Sequence, residues 1–206
     1  MLMIQISNEY VHGWEAATRG LRNPFNSWAK SDSSFINGVS LGENDLSLMK
    51  RLSAAGTDHS KFLRMITVTA DINAPLYWWK EFDTYKVGTV SNSTSTMHKI
   101  HEKEFDMNDF SCEKLMDDSE GALYDLIFIL NKYRDLYNDT GNKRMWWQMI
   151  QLLPSSYNQL RTVQMNYQVL KNMYFARQCH KLDEWREFCR WCLTLPYFEE
   201  ICVSLE

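Results

Sequence analysis

The 206 residues carry 22 basic and 26 acidic side chains for a net charge of −4, with 45% hydrophobic and 14% aromatic content. That is enough apolar material for one substantial core, so a single domain over residues 1–206 is expected, and no run of Lys and Arg is long enough to track a nucleic-acid backbone, which argues against DNA or RNA polymers as partners. The Met1-Leu-Met-Ile-Gln-Ile start lacks a basic region and no stretch of about 18 apolar residues occurs, so the expectation is no signal peptide, no membrane span and a cytoplasmic protein.

Met1 to Ser7 alternates enough for an edge strand, and Glu9 to Leu21 reads as a helix with Val11, Trp14, Ala17 and Leu21 on one side. Residues 22 to 34 are polar and end in Ser and Asp, which suits either a ligand loop or a solvated one. Asn44 is placed to cap a helix from Asp45 to about Ala55, with Leu46, Met49 and Leu52 on one face and Gly56 ending it. Residues 62 to 72 have the β-branched content of a strand, and Pro75 then opens a short aromatic helix, Leu76 to Tyr85. Trp78 and Trp79 within it read as core or interface aromatics.

Val87 to Thr96 is almost all small and hydroxylic, a loop that either envelops a ligand or moves freely. Asp83, Lys86, His98 and His101 either line a cleft beside it or form a solvated face. From Ser119 the 3.6-residue period dominates, and helices are expected over about 120–137, 143–153, 156–177 and 181–194. Strands and helices do not alternate regularly, so the class is α+β, a small, mostly antiparallel sheet covered by long helices.

The five cysteines form no regular framework and fit a reducing compartment. Cys189 and Cys192 share a helix face, so zinc ligation with Cys179 and His180 is geometrically possible. A second ligand pair at standard spacing is missing, and buried thiols among Trp185, Phe188 and Trp191 are the reading taken, with no metal site.

On the helix expected at 156–177, Asn166 and Arg177 fall about 20° apart at about 100° per residue, beside the stripe of Val163, Tyr167, Leu170 and Tyr174. They would lie about 16 Å apart along the axis, which suits an extended anion rather than a compact metal site; a carboxylate partner for Arg177 and a backbone bond for Asn166 are the plainer alternative.

Taken together, Leu153-Pro154, Asn166, Leu170, Asn172 and Arg177 give the pattern L-P-x11-N-x3-L-x-N-x4-R, which resembles the C-terminal signature of the flavin-dependent thymidylate synthases. The order upstream is similar: Gly56, His59-Ser60, the strand segment, Ala74-Pro75, Trp78-Trp79 and the loop through Asn92, Ser93 and Ser95. The resemblance implies a homotetramer that binds FAD and reductively methylates dUMP, with methylenetetrahydrofolate and NADPH as co-substrates. By position it puts Arg177, Glu81, Ser93, Ser95 and Lys86 on the nucleotide, and His59, Ser60, Asn92, Asn166 and Asn172 on the flavin. His59 also reads simply as a turn residue. It assigns no catalytic residue.

The family's loop reads R-H-R-x-x-S-x-N-E-x-S-x-R, and the matching stretch here, Tyr85 to Met97, keeps only Asn92 and Ser95. All three arginines and the glutamate are absent, and Ile150 stands where another nucleotide arginine is usual. Each lost charge-assisted bond forfeits about 1.5–3 kcal/mol. Lys86, Arg64, Arg19, Arg22 and Lys30 are the cations available to substitute. Two functions therefore follow from the resemblance: a divergent flavin-dependent methylase of dUMP or a related pyrimidine monophosphate, or a non-catalytic nucleotide-binding protein for sensing or sequestration on the same fold.

Overall fold

The structure, a computed structural model, describes residues 3–204. Strands β1 (Gln5–His12), β2 (Thr67–Pro75), β3 (Thr89–Ser93) and β4 (Asn158–Asn166) form an antiparallel sheet in the order β1-β2-β4-β3. Helices α1 (Trp14–Arg22), α2 (Glu43–Ala54), α3 (Leu76–Phe82), α4 (Asp117–Thr140), α5 (Lys143–Leu152), α6 (Tyr167–Arg177) and α7 (Asp183–Cys192) complete the α+β class expected from the sequence. No helix of the described residues is long and apolar enough to cross a membrane.

By packing, the chain divides into two compact units. The first comprises residues up to Gln5, Ile72–Thr84 and Asn92–Arg161. Its core holds Trp78 and Trp79 of α3, edge to face at 4.8 Å, as the aromatic content of that helix predicts. In the same unit Leu123, Ile127 and Leu130 fall on one face of α4 and bury against Phe105, Phe110 and Met149. Each such side chain contributes about 1.5–3 kcal/mol.

The second unit comprises Ile6–Asp71, Tyr85–Ser91 and the chain from Thr162 on. Tyr167, Trp185, Phe188 and Phe198 fill its core with Leu63, Ile66 and Met49. Cys189 and Cys192 are buried there too, and burial, with a lesser contribution from Cys179, pushes the Cys189 thiol up to about 11. Both are inert packing thiols at neutral pH.

Several boundaries differ from the sequence reading. The first strand runs through His12 and the helix starts only at Trp14, because Gly13 turns the chain at φ 85°; Met1 and Leu2, where the strand was expected to begin, lie outside the described residues. Asn44 does not cap α2. The Asp32 carboxylate does so from a distant loop, accepting from the backbone N–H groups of Asn44 and Asp45 at 2.9 and 3.1 Å. Lys61–Arg64 is a 3-10 turn, so β2 begins at Thr67, where Val68, Ala70, Ile72 and Ala74 turn inward in alternation. The small-hydroxyl stretch 87–96 is not all loop: Thr89–Ser93 forms the exposed edge strand β3.

The largest correction concerns residues 156–177. They are not one helix but strand β4 followed by helix α6, and the seam is Asn166. The spacing of Val163, Tyr167, Leu170 and Tyr174 fits a helix. Over 159–167, however, the buried set Val163, Met165 and Tyr167 alternates with period two, and sheet pairing takes the segment.

Candidate functional site

Within the second unit, α1, the turn that follows it, α2 and the 3-10 turn at Lys61–Arg64 enclose a cleft of about 1030 Å³. Leu21, Leu48, Leu52, Phe62 and Met65 give it apolar walls, and Arg22, Lys30, Arg51 and Lys61 bring cations to it against the single carboxylate of Asp58. Phe25 is 87% exposed beside it, and His59 is an exposed member of its rim.

Asp45 holds that wall in place. Its carboxylate accepts from Arg22 Nε at 2.6 Å, from the hydroxyls of Ser31 and Ser33 at 2.7 Å each, and from the backbone N–H groups of Asp32 and Ser33. Burial alone would push this carboxyl up, but the bonds from Ser33, Ser31, Arg22 and Asp32 together outweigh it and leave it below the usual range. The polar stretch 22–34 is thus an anchored loop, and its first residues line the cleft. Arg22 also donates through Nη1 to the Ser27 carbonyl at 3.3 Å, while its Nη2, buried, has no hydrogen-bond partner among the described residues.

The polar residues of α6 meet a second group. Asn166 is the N-cap of α6, its side-chain oxygen accepting from the Val169 N–H at 2.9 Å. Its amide nitrogen lies against Gly88, where an added Cβ would come within 2.5 Å. Asn172 accepts from Gln168 at 3.2 Å, and Gln168 accepts from the buried Ser60 hydroxyl at 2.9 Å. Arg177 closes the helix: its Nε donates to the Tyr85 hydroxyl at 3.0 Å, and its guanidinium lies 5.0 Å from the Trp185 ring and 5.6 Å from that of Tyr85. Asn166 and Arg177 therefore stand at opposite ends of an 11-residue helix rather than on one stripe within a longer one.

Of the other residues named from the sequence, Lys86 is exposed in the second unit. Glu81, Asn92, Ser93 and Ser95 belong to the first unit. Glu81 is half-buried on α3, and Asn92 and Ser93 are exposed on the edge strand. Ser95 accepts from the N–H groups of Met97 and His98 at 3.2 and 2.9 Å and borders a 340 Å³ hollow with Lys103 and Tyr157.

Of the residues named from the sequence for the flavin and nucleotide, His59 lines this cleft, while Asp45, Arg51, Lys61 and Phe25 were not named for it. Arg51 carried one usable signal, a cation between Leu48 and Leu52 on an amphipathic helix. Asp45 carried none, since its partner Arg22 is 23 positions away.

No protein-family model matches the sequence, and no curated protein does either. Many solved structures share its fold, among them two of one enzyme. A crystal structure of the flavin-dependent thymidylate synthase ThyX from Helicobacter pylori, complexed with FAD and dUMP, is 17% identical at a TM-score of 0.71, and 99% of each chain is covered. A second structure of ThyX from the same organism, also with FAD and dUMP, gives 16% identity, a TM-score of 0.72 and 98% coverage of both chains. The chain has the fold of the flavin-dependent thymidylate synthases.

Proposed function

We propose that this chain binds FAD and a pyrimidine nucleoside monophosphate, dUMP or a close relative, and acts as a divergent flavin-dependent nucleotide methylase. One observation carries the reading: the likeness runs over 99% of both chains, and the matching structure holds FAD and dUMP. The donor set of the cleft fits a flavin dinucleotide. A volume of about 1030 Å³ with apolar walls suits the rings, and Arg22, Lys30, Arg51 and Lys61 offer N–H donors to phosphate oxygens. When bound, the flavin supplies the hydride chemistry of a reductive methylation, with methylenetetrahydrofolate as carbon donor and NADPH as reductant.

The chain's own groups bind and orient. Tyr85 and Trp185 fix the plane of the Arg177 guanidinium, so that it meets a nucleotide in one orientation. His59, Ser60, Asn92, Asn166 and Asn172 are assigned to the flavin, and Glu81, Lys86, Ser93 and Ser95 to the nucleotide. A homotetramer, a single domain and a cytoplasmic location belong to the same proposal.

A second reading, a nucleotide-binding protein without catalysis, is favoured by one feature. The edge strand β3 and the segment 87–96 contain no cation. Calorimetric titration with dUMP tests the shared part: Arg177→Ala is expected to weaken binding about tenfold, the loss of one charge-assisted contact at 1.4 kcal/mol or more. Equal affinity in the variant and the parent protein would remove Arg177 from the site. Turnover of bound dUMP in the presence of FAD, methylenetetrahydrofolate and NADPH separates the two readings.

A further inference from the structure

The helix α4 carries apolar side chains on two sides, and only one of them is buried. Leu123, Ile127 and Leu130 face the core of the first unit. On the opposite side, at about 100° per residue, Gly121, Asp125, Phe128, Ile129, Lys132 and Leu136 fall within an arc of about 100°. All six are exposed, Phe128 at 72%, and Tyr124 borders them at 54%. A helix that packs on one core needs one apolar stripe, and aromatic and aliphatic side chains gathered on a second one mark a contact surface.

The polar members of this stripe say what covers it. Asp125 and Lys132 stand two turns apart, too far to reach each other, and neither holds an ion pair among the described residues. Gly121 leaves a notch, since an added Cβ would meet nothing within 4 Å. These features complement their own copy. A two-fold axis passing between Phe128 and Ile129 brings each Asp125 opposite the partner's Lys132, each Leu136 over the partner's Gly121, and each Phe128 against the partner's Ile129. One reflection satisfies all three pairings. A parallel pairing in register would instead set Asp125 on Asp125 and Lys132 on Lys132, which like charges oppose. In the antiparallel arrangement Asp118 and Asp139 come opposite one another only at the ends of the contact, about 16 Å from the axis, where crossing helices diverge and solvent screens the charges.

We infer that α4 docks antiparallel on α4 of a second copy of this chain, about a two-fold axis between Phe128 and Ile129, with the Asp125–Lys132 pairs setting the register. The inference rests on the proposed homotetramer only in taking the partner to be a second copy.

Sedimentation velocity of the full chain over a range of concentrations tests it, with circular dichroism to establish that each variant folds. The proteins are the parent, Phe128→Glu, Asp125→Lys, Lys132→Asp and the combined Asp125→Lys/Lys132→Asp. Phe128→Glu should lower the mass of the assembly by half, from tetramer to dimer. Each single charge reversal should weaken the same step at least tenfold, because the axis doubles every like-charge pair. The combined variant should assemble as the parent does, and so should an equimolar mixture of the two single reversals, whose charges are opposite at every pair. A tetramer whose mass none of the variants changes would overturn the α4 contact and leave the homotetramer standing. A parent dimer that Phe128→Glu makes monomeric, with the same charge rescue, would support the contact and sink the homotetramer. A monomeric parent would sink both, and loss of assembly without rescue in the combined variant would overturn the antiparallel register.

Discussion

Replacing Asp45 by alanine is expected to cost about 3–5 kcal/mol of unfolding free energy, the penalty for leaving a buried cation without its counter-ion. Asp45 is fully buried and Arg22 is 4% exposed, so the guanidinium has little water to turn to when the carboxylate goes. The hydroxyls of Ser31 and Ser33 and the N–H groups of Asp32 and Ser33 lose their acceptor at the same time. Urea denaturation measures the loss, and a cost below about 1 kcal/mol, the level of a surface pair, would show that Asp45 does not order the loop. Asp45→Asn keeps the shape and removes the charge, which separates the ionic part from the packing.

The same carboxyl gives a pH dependence. Its folded-state value lies below that of the unfolded chain, so its stabilisation is fully present above the unfolded value of about 3.9 and is lost as pH falls through the folded one. Stability of the parent should therefore decline below about pH 4, and part of that decline should be missing in Asp45→Asn. The loop anchored by Asp45 forms one side of the cleft, so ligand affinity should fall with it.

Gly13→Ala is expected to be nearly as damaging, at about 3 kcal/mol, because two penalties coincide. Gly13 sits at φ +85°, and a Cβ there would meet the Met65 carbonyl oxygen at 2.0 Å. Neither atom can swing aside, since the oxygen belongs to the backbone and the Cβ position is fixed by it. Gly38→Ala provides the control: its φ is +100° but nothing lies within 4 Å, so only the left-handed backbone penalty of about 1–2 kcal/mol applies. Equal denaturation midpoints for the two variants would contradict the close approach of Gly13 to Met65. That approach fixes α1 against the turn bearing Phe62 and Met65, and all three line the cleft.

The helical part of the fold was legible where one period ran unopposed. Leu123, Ile127 and Leu130 mark α4 within a few residues of its ends, and α5 and α7 follow the same rule. It failed where a strand runs into a helix without a Gly or Pro between them. At Asn166 the only punctuation is the N-cap side chain itself, and in sequence a polar residue there fits the interior of a helix as well as its start. At Gly13 the signal was present, but the three-residue spacing of Val11 and Trp14 concealed it. Candidate residues were nameable from the sequence where a local pattern carried them, as with Asn166, Asn172 and Arg177. The pairings between such residues were not, because Tyr85 is 92 positions from Arg177 and Ser60 is 108 from Gln168. Such distances are set by tertiary packing.

Flavin retention by the purified protein tests the central proposal most directly. The apo-protein is incubated with excess FAD, desalted, and its visible absorbance compared with its protein concentration. A flavin spectrum at close to one equivalent per chain, with quenched fluorescence, is the expected result. A colourless protein after desalting, with no change in flavin fluorescence on mixing, would contradict it.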